Sequence, residues 1–227
     1  MQSNVLVFAK RSLNLSKIQA GLGLGLAALG IFVIFALSLL AGSSSAAVFL
    51  ISVSFMTLGL LMFTMPVTLL YVYDKNNGVL EYLLSLGWNQ SDVFKQYLKA
   101  ALFLAVILFT GEGAAILIAG AIAGSTAVFL LDLLMLFLTA FLGFSVVSLV
   151  TMTMMAFSSL QKQRVGADTP LGTVIGVPFI FPTFYLSFIG FIPELIVVLS
   201  LCILAGGLSA GLLLLSSRLI RREKMLP

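Results

Sequence analysis

Six long apolar runs, separated by short polar segments, set the pattern of this 227-residue chain. They extend over about 22–40, 47–72, 100–123, 128–154, 171–188 and 195–216. A helix of about 20 apolar residues crosses the roughly 30 Å hydrocarbon core of a bilayer. The pattern therefore predicts an all-α, polytopic membrane protein with six transmembrane helices, forming a single transmembrane domain over residues 1–227.

Basic residues fall on alternate connections between these runs. All twelve precede run one, follow run two, follow run four or follow run six: Lys10, Arg11, Lys17, Lys75, Lys95, Lys99, Lys162, Arg164, Arg218, Arg221, Arg222 and Lys224. The connections at 42–45, 124–126 and 190–194 contain no Lys or Arg. Since positive residues are retained in the cytoplasm, we expect a multi-pass protein of the plasma or inner membrane with both termini cytoplasmic.

Composition narrows the class of function. With 61% hydrophobic and 9% charged residues, the chain has too little polar surface for a soluble domain. It contains no His, and its single cysteine, Cys202, lies in the last apolar run, which excludes His-based catalysis and an internal disulfide. The net charge of +4 is explained by topology determinants, so no nucleic-acid partner is expected. We expect neither enzymatic activity nor a metal or cofactor on this chain.

Residues 1–20 have the pattern of an interfacial helix. From 5 to 18, apolar side chains alternate with three basic ones, which is typical of a helix lying among lipid headgroups. A frayed basic tail is the alternative. Gly21, Gly23 and Gly25 then open the first span, where small residues let another helix approach closely.

The polar segment 74–99, between spans two and three, predicts a bent pair of helices. Four apolar residues recur there at helical spacing: Leu80, Leu83, Leu84 and Trp88. They predict a short amphipathic helix from Val79 to Leu86, ended by Gly87. A second helix is predicted to begin at Asn89 or Ser91, either of which is a good N-cap residue.

This elbow resembles the loop between spans two and three in permease subunits of ATP-binding-cassette exporters of the ABC type-2 class, which share the type V exporter fold. That loop typically reads acidic-x-x-x-Gly-Thr-x-Glu-x-Leu-Leu-x-x-Pro, followed by an acidic residue and a lysine. The matching positions are Asp74, Gly78, Glu81, Leu83, Leu84, Asp92 and Lys95 or Lys99. The chain departs from the pattern at Val79, where Thr is frequent, and at Gly87, where Pro is common; Gly can also end a helix.

The resemblance implies that the elbow is a coupling helix seated on a separate ATPase subunit. Residues assigned to this role are Asp74, Gly78, Glu81, Leu83, Leu84 and Trp88. Asp74 and Glu81 are expected to pair with basic ATPase residues, and the three large apolar residues to anchor the elbow against the spans. ATP and Mg are expected on the partner, because the chain lacks a phosphate-binding loop. A second permease copy, identical or homologous, is expected alongside membrane lipid. A surface helix without a partner is the alternative.

Two acidic residues lie inside apolar runs, Glu112 in the third and Asp132 in the fourth. Because a charge facing lipid costs a few kcal/mol, both are expected to face protein or water. A structural hydrogen bond, a place in the translocation path or gate, and proton coupling remain open for Glu112. Proton coupling would make the protein an ion-coupled secondary carrier, and a non-transporting membrane assembly component is a third class.

Prolines interrupt the fifth run at Pro178 and Pro182, and Glu194 follows the next turn. Prolines a turn apart kink or break a helix. In the resembled exporters the outer part of this region caps the cavity, so the resemblance implies an external gate within 170–194 that includes these three residues. A simple kinked span is the alternative. Together these resemblances imply export of a substrate from the cytoplasm or the inner leaflet.

Overall fold

The computed structural model describes residues 3–41, 46–123, 126–156 and 194–219. These residues form seven helices: α1 Ser3–Leu15, α2 Lys17–Ala41, α3 Ala46–Asn76, α4 Val79–Ser85, α5 Gln90–Ala123, α6 Thr126–Ala156 and α7 Glu194–Leu219. The described part of the chain contains no β-strand, which confirms the all-α fold class. Apolar runs one, two, three, four and six correspond to α2, α3, α5, α6 and α7. The fifth run lies outside the described residues.

Two stretches are long and apolar enough to cross a membrane, Ser54–Asn76 in α3 and Gln90–Ile118 in α5. Val5–Leu15 and Lys17–Val33 form a third candidate if the pair is one broken span, although they are bent by 95°. Ala140–Met155 of α6 and Cys202–Leu214 of α7 are shorter apolar helices. The described residues therefore show two or three candidate membrane spans, and six spans stay a prediction.

The amino-terminal segment forms a short amphipathic helix, α1, which is bent by 95° from α2. One face of α1 is buried and carries Phe8, Ala9 and Ser12, whereas Leu6 and Lys10 are exposed. The Ser12 hydroxyl donates to the Ala9 carbonyl oxygen at 2.7 Å, so this polar side chain is satisfied on the buried face. The helix predicted for this segment is confirmed, and its sharp turn relative to α2 separates it from the first apolar run.

A glycine contact brings α2 and α3 together. A Cβ added to Gly23 would lie 2.5 Å from the backbone nitrogen of Phe63, and one added to Gly59 would lie 2.9 Å from the backbone nitrogen of Ala27. The two backbones are therefore too close for side chains at these positions. At Gly21 and Gly25 an added Cβ would meet nothing within 4 Å among the described residues. The predicted close approach is confirmed at Gly23 alone.

The buried apolar residues form two clusters. The elbow-end cluster contains residues of α1, α2, α3, α4, α5 and α6. Its members include Phe8, Leu70, Tyr71, Leu80, Phe94 and Tyr97. The far cluster joins α3, α5, α6 and α7, and includes Met56, Ile116, Leu142, Val146 and Cys202. The first cluster thus packs the short helix α4 and its surroundings against the long apolar helices.

Candidate functional site

Within the elbow, residues 74–99, the short helix α4 has a glycine turn at each end. Gly78 precedes α4 at φ 72°, and Gly87 follows it at φ 87°. Side chains disfavour this left-handed region, so glycine lets the chain reverse sharply at both points. The helix covers Val79–Ser85, with Leu86 as its C-cap. The predicted short helix and its end at Gly87 are therefore confirmed to within one residue.

The start of α5 is fixed by Asn89. Its carbonyl oxygen accepts hydrogen bonds from the backbone amides of Asp92, at 3.0 Å, and Val93, at 3.1 Å. The helix begins at Gln90, so Asn89 immediately precedes it and Ser91 lies within it. Of the two predicted starts, the structure selects Asn89. The turn before it is closed by the Trp88 amide, which donates to the Leu83 carbonyl at 3.2 Å.

The two faces of α4 have different surroundings. Leu80 is fully buried, while Leu83, Leu84 and Trp88 are half-buried against the elbow-end cluster. This packing agrees with the anchoring expected of those three residues. The opposite face exposes Glu81 and three neighbours: Tyr82, Ser85 and Leu86. The outer face of the elbow is thus free to contact a partner, while the inner face holds it to α3 and α5.

A buried carboxylate ties the elbow to the amino-terminal helix. Asp74 is completely buried; its Oδ1 accepts from Nη2 of Arg11 at 2.9 Å, and its Oδ2 accepts from the Tyr97 hydroxyl at 2.6 Å. Asp74 ends the apolar part of α3, Arg11 lies on α1 and Tyr97 on α5. The sequence predicted that Asp74 would meet a basic residue of a partner. Instead, both oxygens are bonded within the chain, which leaves Glu81 as the exposed acid of α4.

Aromatic packing surrounds the same point. The Tyr97 ring lies 4.8 Å from that of Phe8 and 5.2 Å, edge-on, from that of Tyr71. Such pairs add to the stabilisation from burial. Sequence reasoning missed Arg11 and Tyr97 as partners of Asp74: Arg11 is 63 residues from Asp74 along the chain, and its charge already had an explanation in topology.

An open pocket of about 450 Å³ lies beside the elbow, where α4 turns into α5. Its lining consists of Leu84, Gly87, Trp88, Asn89, Gln90 and Ser91. Leu84 is the residue of α4 in this lining, and the exposed residues Glu81, Tyr82, Ser85 and Leu86 do not line the pocket. The pocket therefore belongs to the corner between α4 and α5 and is separate from the exposed face of α4.

The acid in the third apolar run is deeply buried. Glu112 lies on α5 with 1% of its surface exposed, and neither carboxylate oxygen has a hydrogen-bond partner among the described residues. Asp132 lies in α6 and Glu194 is the first residue of α7, but their side chains are not among those described. Pro178 and Pro182 of the predicted gate also lie outside the described residues. The gate within 170–194 stays a prediction.

Across the ranges that the structure describes, no three His, Cys, Asp or Glu residues are grouped so as to hold a metal ion. In comparisons with known proteins, no family model, no curated protein and no solved structure matches the chain. Functional inference therefore depends on the geometry of the elbow and on the resemblance of its sequence.

Proposed function

We propose that this protein is the permease subunit of an ATP-driven exporter of the ABC type-2 class, moving a substrate out of the cytoplasm or the inner leaflet. The observation that supports this proposal is the elbow: a seven-residue helix, α4, held between two candidate membrane spans with an acid, Glu81, on its exposed face. Six spans, cytoplasmic termini and a cell-membrane location belong to the same proposal.

The packing of α4 suits the transmission of force. Leu80 is buried, and Leu83, Leu84 and Trp88 pack against the same cluster as α3 and α5, so a displacement of α4 would be passed to those two helices. A packed helix behaves as a rigid element in such transitions. Asp74 adds α1 to the moving unit through Arg11. A push on the exposed face would thus reach three helices at once.

The motor is a separate subunit. The chain has no Gly-x-x-x-x-Gly-Lys-Ser/Thr sequence, so ATP and Mg are bound by the partner ATPase. Two permease copies, identical or homologous, enclose the pathway between them. Glu81 pairs with a basic residue of the ATPase, and Leu83, Leu84 and Trp88 hold α4 in place from behind.

A second candidate function is an ion-coupled carrier, and the buried Glu112 favours it. Neither carboxylate oxygen of Glu112 has a hydrogen-bond partner in the described ranges, and intramembrane acids often mark ion and proton pathways. The two candidates differ in their energy source. Transport that stops when an ionophore dissipates the ion gradient, with no ATPase bound to the protein, would establish the carrier.

The test of the exporter proposal is co-purification from the host's own membranes. We expect the tagged chain to bring with it an ATPase that has a phosphate-binding loop, and the complex to hydrolyse ATP. Glu81→Lys should abolish this association without preventing membrane insertion, because the residue is exposed. Normal association and transport in Glu81→Lys would refute the coupling role.

A further inference from the structure

The outer face of α1 presents apolar and basic side chains next to each other. This face lies opposite the side buried in the elbow-end cluster, and its members are Leu6, Val7, Lys10 and Asn14. Leu6 is 57% exposed and Val7 is 52% exposed. Lys10 follows Leu6 by one helical turn, so an aliphatic side chain and an ammonium group are neighbours at the surface. The face thus offers both an apolar contact and a charge.

The helices α2 and α3 run side by side in opposite directions. A Cβ added to Gly23 would lie 2.5 Å from the backbone of Phe63, and one added to Gly30 would lie 3.0 Å from the side chain of Met56. The second contact is seven residues later in α2 and seven residues earlier in α3, which is the register of antiparallel neighbours. Because Ser54–Asn76 in α3 is a candidate membrane span, α2 follows the direction of that span.

The helix α1 therefore lies across the end of a candidate span, close to the plane of the membrane surface. Its axis is bent by 95° from that of α2. Arg11 of α1 contacts Asp74, which is two residues before the end of the span at Asn76. The level of α1 is thus the level at which the span leaves the hydrocarbon layer, where phospholipid phosphates lie and lysine side chains reach them.

Two of the three amino-terminal cations are unpaired within the described part of the chain. Nη2 of Arg11 lies 2.9 Å from Oδ1 of Asp74, so the charge of Arg11 already has a partner. Lys10 and Lys17 are exposed and form no ion pair with a described residue. No Asp or Glu precedes Asp74 in the sequence, so the amino-terminal segment has no acid of its own to offer them. The two lysines are therefore available to an anion from outside the chain.

The exposed faces of α1 and α4 carry opposite charge. α4 exposes Glu81 and has no basic residue, whereas the outer face of α1 has no acidic one. An anionic headgroup is attracted to α1 and repelled by α4. Leu6 and Val7 decide between lipid and an acidic protein as the partner of α1. A bilayer surface combines anionic phosphates with hydrocarbon directly beneath them, and α1 presents ammonium and aliphatic groups at that level.

From these observations we infer that the outer face of α1, together with Lys17, binds anionic phospholipids such as phosphatidylglycerol in preference to zwitterionic ones. The ammonium groups of Lys10 and Lys17 donate to the lipid phosphate, and Leu6 and Val7 contact the upper part of the acyl chains. Phosphatidylcholine has the same phosphate, but its own cation cancels the charge. An interfacial position alone would favour neither headgroup, whereas two unpaired lysines favour the lipid with net negative charge.

The inference goes beyond the exporter proposal and requires only that the chain lies in a membrane. The test uses the full chain with Cys202→Ala and Asn14→Cys, which places a bimane label on the outer face of α1. The labelled protein is inserted in phosphatidylcholine nanodiscs that contain a minority of phosphatidylglycerol. Two samples have the same composition and the same number of brominated acyl chains, carried either by phosphatidylglycerol or by phosphatidylcholine. Quenching by bromine then reports which lipid lies beside α1.

Brominated phosphatidylglycerol should quench the label at position 14 at least about twofold more than brominated phosphatidylcholine, because each lysine near the surface favours an anionic lipid by about fivefold. This excess should fall as salt is added. Leu86→Cys is the matched label position on α4. Leu86 is 58% exposed, but Glu81 lies on the same helix, so its label should show no excess for phosphatidylglycerol.

Lys10→Gln and Lys17→Gln should each lower the excess at position 14, and the double variant should abolish it. Lys10→Arg keeps the charge and should keep the excess. Lys95→Gln removes the same charge from an exposed position three residues after Asp92, and should leave the excess unchanged. Elution and thermal unfolding like those of the parent protein establish that each variant folds.

Three outcomes would overturn the inference. Equal quenching by the two brominated lipids would show contact with lipid but no selection of charge. An excess that persists in the double variant of Lys10 and Lys17 would remove the lysines from the site. Absence of quenching by either lipid, as expected if an acidic protein rather than the bilayer covers this face, would exclude lipid as the partner of α1. None of these outcomes bears on association with an ATPase through α4.

Discussion

The hydroxyl of Tyr97 donates a 2.6 Å hydrogen bond to Oδ2 of Asp74, so the first turns of α5 hold a buried carboxylate at the end of α3. The other oxygen of Asp74 accepts from Arg11, which lies on α1. One side chain therefore joins three helices a few residues before α4 begins. Because the exposed face of α4 is the proposed contact for an ATPase, this junction determines how motion of α4 would spread into the bundle.

Tyr97→Phe should destabilise the protein. The ring contacts with Phe8 and Tyr71 remain, but Asp74 loses a buried donor, which we expect to lower the free energy of unfolding by about 1–3 kcal/mol. Equilibrium unfolding in detergent micelles measures this change. Tyr82→Phe is the control, since Tyr82 is 63% exposed and should change stability by no more than about 0.5 kcal/mol. Equal stability of both variants would show that the bond contributes nothing.

The Arg11–Asp74 pair should show a measurable coupling energy. In a double-mutant cycle of Arg11→Gln and Asp74→Asn we expect about 1 kcal/mol, because Arg11 is 44% exposed and solvent screens its charge. The coupling should fall as salt is added. Lys10→Gln, one residue away on an exposed face, should show none with Asp74→Asn. A coupling of the same size for Lys10 would refute a specific pair.

Gly23→Ala should separate α2 from α3. The new Cβ would lie 2.5 Å from a backbone nitrogen of Phe63, so the helices must shift, at a cost of about 1–3 kcal/mol in unfolding free energy. Gly21→Ala and Gly25→Ala place a methyl group in open space and should stabilise the helix slightly, by up to about 1 kcal/mol. Thermal unfolding of the three variants compares them directly. A loss of stability at Gly21 or Gly25 equal to that at Gly23 would contradict the close approach.

Cysteine labelling should reveal the predicted topology. In a Cys202→Ala background, Tyr82→Cys should react with a membrane-impermeant maleimide only when the cytoplasmic side is accessible, as in inverted vesicles. Ser44→Cys, in a connection without basic residues, should react only from the outside of intact cells. Labelling of both positions from the same side would exclude the alternation of connections on which six spans depend.

The sequence alone determined the helical class, the long apolar helices and the elbow. Apolar runs of spanning length and spacing patterns such as that of Leu80 and Leu84 are local properties, because a helix repeats every 3.6 residues whatever it packs against. Gly87 also marked the end of α4 locally, because glycine adopts the left-handed conformation that ends a helix more readily than other residues do. The first residue of α5 was not determined by the sequence, because Asn89 and Ser91 are both good N-cap residues. The backbone hydrogen bonds to the Asn89 carbonyl select Asn89.

Only the tertiary structure decided the partners. Asp74 was expected to face another protein, but the fold brings Arg11, 63 residues away, and Tyr97 to its two oxygens. Likewise, of three equivalent glycines in α2, the fold places Gly23 against α3, whereas Gly21 and Gly25 have no neighbour within 4 Å in the described part of the chain. These outcomes depend on which faces of two helices meet and at what register. The faces and the register depend on the packing of all the helices together, so they cannot be predicted from a short segment of the chain.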